Sequence, residues 1–200
     1  MREIDVRQAL HQGKLSVFRN DPETIIIDEL GLCQGEVRID VAVINGYLHG
    51  YEIKSEKDTL ERLPSQEQIY SKILDTVTLV AAESHLKKAR RIIPSWWGII
   101  KVTQNCERIS LRQIRPARRN PGIDPYSLAQ LLWRDEALEA LELLNLAKGL
   151  RTRPRTLIWE TLAANLPVSQ LSHLVRTTIK KRANWRSDPQ QKQYDGSRLL

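Results

Sequence analysis

Residues 35–70 read GEVRIDVAVINGYLHGYEIKSEKDTLERLPSQEQIY, and the alternation inside them decides the fold. Val37, Ile39, Val41 and Val43 alternate with Arg38, Asp40 and Ala42, the period-2 pattern of a strand with one apolar face. Asn45-Gly46 is a strong hairpin signal. The next strand runs from about Tyr47 to Lys54, so residues 37–54 are expected to pair antiparallel. Pro64 then breaks the chain. Ser65 reads as a helix N-cap, and Gln68 three residues later completes a capping box. That helix is expected to reach about Asp75.

Working outward, residues 2–12 read as a helix with Ile4, Ala9 and Leu10 as its apolar stripe. Thr24-Ile25-Ile26-Ile27 is a short β-branched strand that ends in Asp28-Glu29-Leu30-Gly31. Residues 76–80 predict another strand, Ser84 a cap for a basic helix over 85–92, and Trp96 to Val102 a last strand. Of the two tryptophans that open it, one is expected in the core and the other half exposed. The order is helix, three strands, helix, strand, helix, strand. That is an α/β domain with a mixed sheet. From Arg112 the texture changes. Arg115, Arg118 and Arg119 with Pro116 and Pro121 form a basic linker, and leucines at helical spacing follow from Leu128. Helices are expected over 155–165 and 169–183. The division is therefore 1–111 as the α/β domain, 112–186 as a basic helical region, and 187–200 as a disordered tail.

The chain's 200 residues, 41% apolar and 28% charged, suit a folded protein able to bury one good core. Its N-terminus lacks the apolar stretch of a secretory signal, and no run approaches membrane-spanning length. Cys33 and Cys106 lack zinc or disulfide spacing, so a cytoplasmic setting is expected. The net charge of +7 is uneven. Residues 1–110 hold 15 Lys+Arg against 16 Asp+Glu, and residues 111–200 hold 16 against 8. An acid-bearing front joined to a basic back suits a polyanionic partner such as DNA.

Glu52 and Lys54 are two apart on a strand and share a face, with Ile53 behind. Asp40 belongs to the polar face of the neighbouring strand. Two bare carboxylates about 4 Å apart repel by about 4 kcal/mol at an effective dielectric near 20, a large fraction of a domain's net stability. Lys54 supplies one counter-charge. A hard divalent cation with oxygen ligands supplies the rest, and Mg²⁺ (or Mn²⁺) suits a site shared with phosphate. Such a site is fitted to metal-assisted phosphodiester cleavage, with Lys54 orienting water or stabilising charge on the phosphate. Gln66 and Tyr70 lie one turn apart on one helix face. The histidines at 11, 49, 85 and 173 show no ligand spacing and are expected to be structural. Asp58 is expected to play a structural part, capping the short segment 59–63, and Glu36 to be a loop charge.

The set Asp40, then Glu52-Ile53-Lys54, resembles the PD-(D/E)XK nuclease superfamily, whose restriction-endonuclease-like core carries an α-β-β-β-α-β order with a further helix and strand. Arg38-Ile39 stand where that superfamily often has Pro. Gln66 and Tyr70 match the Q-x-x-x-Y element of RecB-like and lambda-exonuclease-like members. Over residues 1–145 the chain is similar to an uncharacterised bacterial family known by an "sce" locus tag, through IDELGL, RIDVAVI, YEIKS, RLPSQ, PSWWGI and LLWRDE. Over 28–58 it is similar to MmcB-like DNA repair proteins. The resemblance implies Glu29, Asp40 and Glu52 as metal ligands, Lys54 as catalytic lysine, and contact of Gln66 and Tyr70 with DNA or with that lysine. Glu3, on the opening helix, competes with Glu29 as the first acid.

In the back half, residues 137–166 form a helix, a basic loop and a second helix that resemble the SAP DNA-binding motif. Arg151, Arg153 and Arg155 fall on that loop. Arg176, Lys180 and Lys181 make the last helix basic. A metal-dependent DNA nuclease is expected. A non-cleaving DNA-binding protein of the same fold, or a protein-interaction component of a phage or defence system, is the alternative.

Overall fold

A computed structural model describes residues 1–105 and 108–186. The expectations for the 187–200 tail and for Cys106 lie outside the described residues. Among them, β1 (Ile25–Leu32), β2 (Val37–Ile44), β3 (Leu48–Lys54), β4 (Thr76–Ala82), β5 (Gly98–Asn105) and β6 (Arg108–Arg115) form one sheet in chain order. β1, β2 and β3 pair antiparallel, β3, β4 and β5 parallel, and β6 returns antiparallel. The crossovers that parallel pairing demands are α2 (Leu63–Ile73) and α3 (Glu83–Ile92). The expected mixed α/β architecture is what forms.

The sheet has two apolar faces. Val41, Val43, Ile53, Val80 and Ile100 pack on Val6 and Leu10 of α1 (Glu3–Gln12) and on Leu15. Ile39, Ala42, Ile44, Leu79 and Ile99 pack on α2 and on the C-terminal helices α4 (Pro125–Ala129), α5 (Arg134–Leu143), α6 (Arg155–Asn165) and α7 (Val168–Arg186). Ile39 and Val41 are two residues apart yet sit in opposite clusters, so β2 turns over at Asp40. The 37–54 hairpin forms as expected but closes through three residues. Ile44 pairs with Leu48, and Asn45 Oδ1 accepts the Tyr47 N–H at 3.1 Å.

Several local expectations need correction. α1 buries Val6 and Leu10, while Ile4 is 54% exposed. α2 begins at Leu63 with Pro64 inside its first turn. Proline is tolerated there because its missing N–H would lack a helical partner in any case. Ser65 is therefore not the cap, and its hydroxyl donates back to the Arg62 carbonyl. α3 begins at Glu83 without a side-chain cap from Ser84. β1 runs on through Leu32, beyond the expected end.

The expected boundary after residue 111 falls inside β6. Beyond it, Arg115 Nε donates to the Trp97 carbonyl at 2.6 Å, and Asn120 Nδ2 donates to the Ser71 and Leu74 carbonyls at 2.7 and 2.9 Å. Leu128, Leu141, Trp159, Leu162 and Val175 belong to the same apolar cluster as Ile44 and Leu79. The basic helical region is thus built onto the sheet. Trp97 is buried and Trp96 half-buried, as expected. Among the described residues no helix is long and apolar enough to cross a membrane.

Candidate metal centre

Backbone pairing of β2 with β3 runs from Ile44–Leu48 to Val41–Tyr51. Past that point the strands part, and the Asp40 carboxylate takes the place of a ladder carbonyl by accepting the Ile53 N–H at 2.5 Å. The opening exposes the next residues of β3 to α2. Lys54 Nζ donates to Glu52 Oε1 at 2.6 Å, and the Tyr70 hydroxyl stands 2.6 Å from Glu52 Oε2 and 2.8 Å from the Arg38 carbonyl oxygen. Gln66 Nε2 donates to the Tyr70 oxygen at 3.3 Å. Glu52, Lys54, Gln66 and Tyr70 are all buried. Buried ions persist only when paired and hydrogen-bonded, and each oxygen of Glu52 has its donor. Gln66 Oε1 is buried without a hydrogen-bond partner among the described residues.

Asp40 meets its acidic partners on the other side. The pairs Asp28–Val41 and Leu30–Ile39 flank Glu29, which therefore falls opposite Asp40. Glu29 has φ 56°, a left-handed conformation that costs a non-glycine residue about 1–2 kcal/mol. α1 contributes Glu3, and carboxylate oxygens of Glu3, Glu29 and Asp40 lie within 4.8 Å of one another. The guanidinium of Arg7 bonds both Glu3 and Glu29. These acids line a cleft of about 420 Å³ with Glu52, Lys54, Gln66, Glu36, Asp58 and Arg62. The loop behind it, Cys33-Gln34-Gly35, carries three successive positive φ angles of 46°, 61° and 89°.

Burial, and then the charge of Glu52, push the Asp40 carboxyl up to about 8, against the opposing pull of the Ile53 N–H and Lys54. Burial and the Glu52 charge also raise the Tyr70 hydroxyl far above its ordinary range, so it stays a donor. Arg7 is ion-paired with Glu3 and Glu29, and Lys54 with Glu52. Carboxylate oxygens of Glu3, Glu29 and Asp40 gathered within 4.8 Å of one another suit a hard divalent ion with oxygen ligands.

The structure brings Glu29, Asp40, Glu52, Lys54 and Gln66 to one cleft, with Tyr70 directly behind Glu52. Glu3 and Glu29 both join Asp40 rather than substituting for each other. Sequence reading missed Arg7, although its place four residues after Glu3 on a helix was a usable signal. Glu36 lines the cleft. Asp58 accepts from the Ser55 N–H and hydroxyl at 2.7 and 2.6 Å, a structural role as expected, but one that closes the turn before it and not the 59–63 segment after it. His49 lies between Thr76 and Thr78, and burial pushes it down to about 4. His85 bonds the Ser55 carbonyl and His11 the Asp28 carboxylate.

The six basic residues of the back half are less uniform. Arg176 pairs with Asp75 at 3.3 Å and Lys180 with Glu23 at 3.5 Å, both ties to the front half. Arg151 pairs with Glu142 at 2.8 Å. Arg153, Arg155 and Lys181 are exposed.

Fold and site together define a mixed α/β protein with a buried Glu–Lys pair beside a cluster of three carboxylates. Residues 2–194 match the profile of the family described as bacteriophage P4 protein cII. The chain belongs to that family. It is similar to protein cII of Enterobacteria phage P4, at 26% identity over 187 residues that span 91% of this chain and 68% of the relative. Among solved structures it is similar to SPO1766, a protein of unknown function from Silicibacter pomeroyi. That match has a TM-score of 0.41 and 16% identity, over 72% of this chain and 92% of the other.

Proposed function

We propose that this chain is a divalent-metal-dependent DNA nuclease with a restriction-endonuclease-like core. The observation that carries it is the convergence of Glu3, Glu29 and Asp40 within 4.8 Å, in a cleft shared with Glu52 and Lys54. The order of α1, β1–β3, α2, β4, α3 and β5 supports the fold assignment. Glu3, Glu29 and Asp40, with Glu52 behind them, would hold one Mg²⁺ or Mn²⁺. The chemistry supplied by the bound ion is charge neutralisation at the phosphoryl oxygen and a lowered pKa for water.

This chain's own residues do the rest. Lys54, oriented by Glu52, donates a hydrogen bond to the phosphate or to the attacking water. Tyr70 and Gln66 lock Glu52, and through it Lys54, in place. The Ile53 N–H fixes the Asp40 carboxylate. Water attacks phosphorus directly, the P–O ester bond breaks, and no covalent enzyme intermediate forms. Kinship with a phage protein supports a phage setting for this activity.

Purified protein with Mn²⁺ is expected to cut DNA, and EDTA, Asp40→Asn and Lys54→Ala each to stop it in protein that circular dichroism shows folded. Cutting by Lys54→Ala equal to wild type would count against this site. A second reading, a DNA-binding protein of this fold that does not cleave, draws on Arg7, which already holds two of the acids. Its signature is DNA binding with no product under any divalent ion.

A further inference from the structure

A second, larger hollow of about 820 Å³ adjoins the acid cleft, and Glu29 and Gly35 line both. One wall is the outermost strand of the sheet, β1, from Ile26 to Gly31. The facing wall carries Trp133, Arg134, Arg155, Trp159 and Arg182. The hollow is therefore acidic where it meets the cleft and basic and aromatic farther along.

Trp133 is the unusual member. It is 51% exposed although it opens a buried helical layer. Its N–H donates to Glu136 Oε2 at 2.7 Å, which fixes its backbone at the start of α5. The Arg182 guanidinium lies 4.3 Å from its ring centre and is held there by Glu136. Arg155 is exposed, lies 5.4 Å from the Trp159 ring centre, and forms no ion pair among the described residues. Arg134 donates from Nη2 to the Arg151 and Arg153 carbonyls, and its Nη1 pairs with the 93% exposed Asp135, an ion pair that water screens and a phosphate can replace. An immobilised, half-exposed indole beside guanidinium groups is a stacking platform with phosphate donors next to it. Duplex DNA has no free base face to offer such a ring, whereas an unpaired strand does.

We propose that this groove receives an unpaired stretch of DNA. One base stacks on Trp133, neighbouring phosphates meet Arg155 and Arg134, and the strand leads past Glu29 into the acid cleft. What happens at that end rests on the nuclease reading above.

The test is the binding of a fluorescein-labelled oligothymidylate of about twelve nucleotides to the full chain in EDTA, followed by anisotropy. Trp133→Ala and Arg155→Ala are each expected to weaken binding about tenfold. Trp133→Phe, which keeps a ring, should stay within about threefold of wild type, and Lys88→Ala, exposed on α3 and lining neither hollow, should bind as wild type does. Unchanged binding by Trp133→Ala and Arg155→Ala would overturn the proposal. So would tighter binding of a duplex of the same length, or a wild type that fails to bind the single strand. Failure of the nuclease reading looks different: no Mn²⁺-dependent product, with the Trp133 effect on binding intact. Failure of the groove alone would show as Mn²⁺-dependent cutting of single strands with the same KM in wild type and Trp133→Ala.

Discussion

Asp40 is held by the Ile53 N–H, crowded by Glu52 and Glu3, and raised by burial. The sign of its effect on stability follows. Its folded value of about 8 exceeds the ordinary carboxyl value, so without an ion the folded protein binds more protons than the unfolded chain between those two values. Stability from this group is full below about pH 4 and falls as pH rises toward 8, by up to about 1.4 kcal/mol per pH unit. Asp40→Asn, which keeps an acceptor for Ile53, should therefore gain stability over wild type as pH goes from 5 to 8 in EDTA. Mn²⁺ should shrink that gain. A pH-independent difference between the two proteins in urea denaturation would show that Asp40 is ionised throughout. Arg7 competes with any cation for Glu3 and Glu29. Arg7→Gln is expected to bind Mn²⁺ about tenfold more tightly, equivalent to about 1.4 kcal/mol, while unfolding more easily in EDTA. Calorimetric titration with weaker binding would show that Arg7 positions the acids rather than occupying their place.

At the scale of elements, the strand alternation and hairpin around Asp40 and Glu52 were legible because period-2 patterning and turn chemistry are local properties. The parting of β2 from β3 was not, because no local signal tells Ile39 to face away from Val41. It is the approach of α2, bringing Leu74 and Tyr70 against β2 and β3, that separates them. The start of α2 was misplaced because Ser65 and Pro64 satisfy two rules at once, and tertiary packing of Leu63 decided between them. β6 was lost because its arginines hid a strand whose inward residues are only Ile109 and Leu111. Gly50 shows how tight the α2 contact is. A Cβ there would meet Leu74 Cδ1 at 2.6 Å and Ile39 Cγ1 at 3.0 Å, both in fully buried side chains. Gly50→Ala should cost about 1–3 kcal/mol in urea denaturation. A cost below about 0.5 kcal/mol, the level of an ordinary surface change, would mean that this contact yields.

For the whole molecule, the acidic front and basic back visible in composition do not correspond to two separable halves. β6, the Asn120 bonds and the shared apolar cluster join them. A chain ending at residue 111 would cut β6 and strip α4–α7 from one face of the sheet. It should show no cooperative thermal transition, and one resembling that of the full chain would indicate an autonomous front half. The charge asymmetry is also smaller in effect than its count. Arg176, Lys180 and Arg182 pair with Asp75, Glu23 and Glu136, and these ties help to hold α7 in place.

The left-handed residue in β1 has one more consequence. A boundary strand with its hydrogen-bonding groups in an unbroken row invites a second chain to zip alongside. At Glu29 that row is interrupted halfway, with a carboxylate beside the bend. The distortion that delivers an acid to the cleft thus also spoils the template on which copies of the protein would otherwise aggregate.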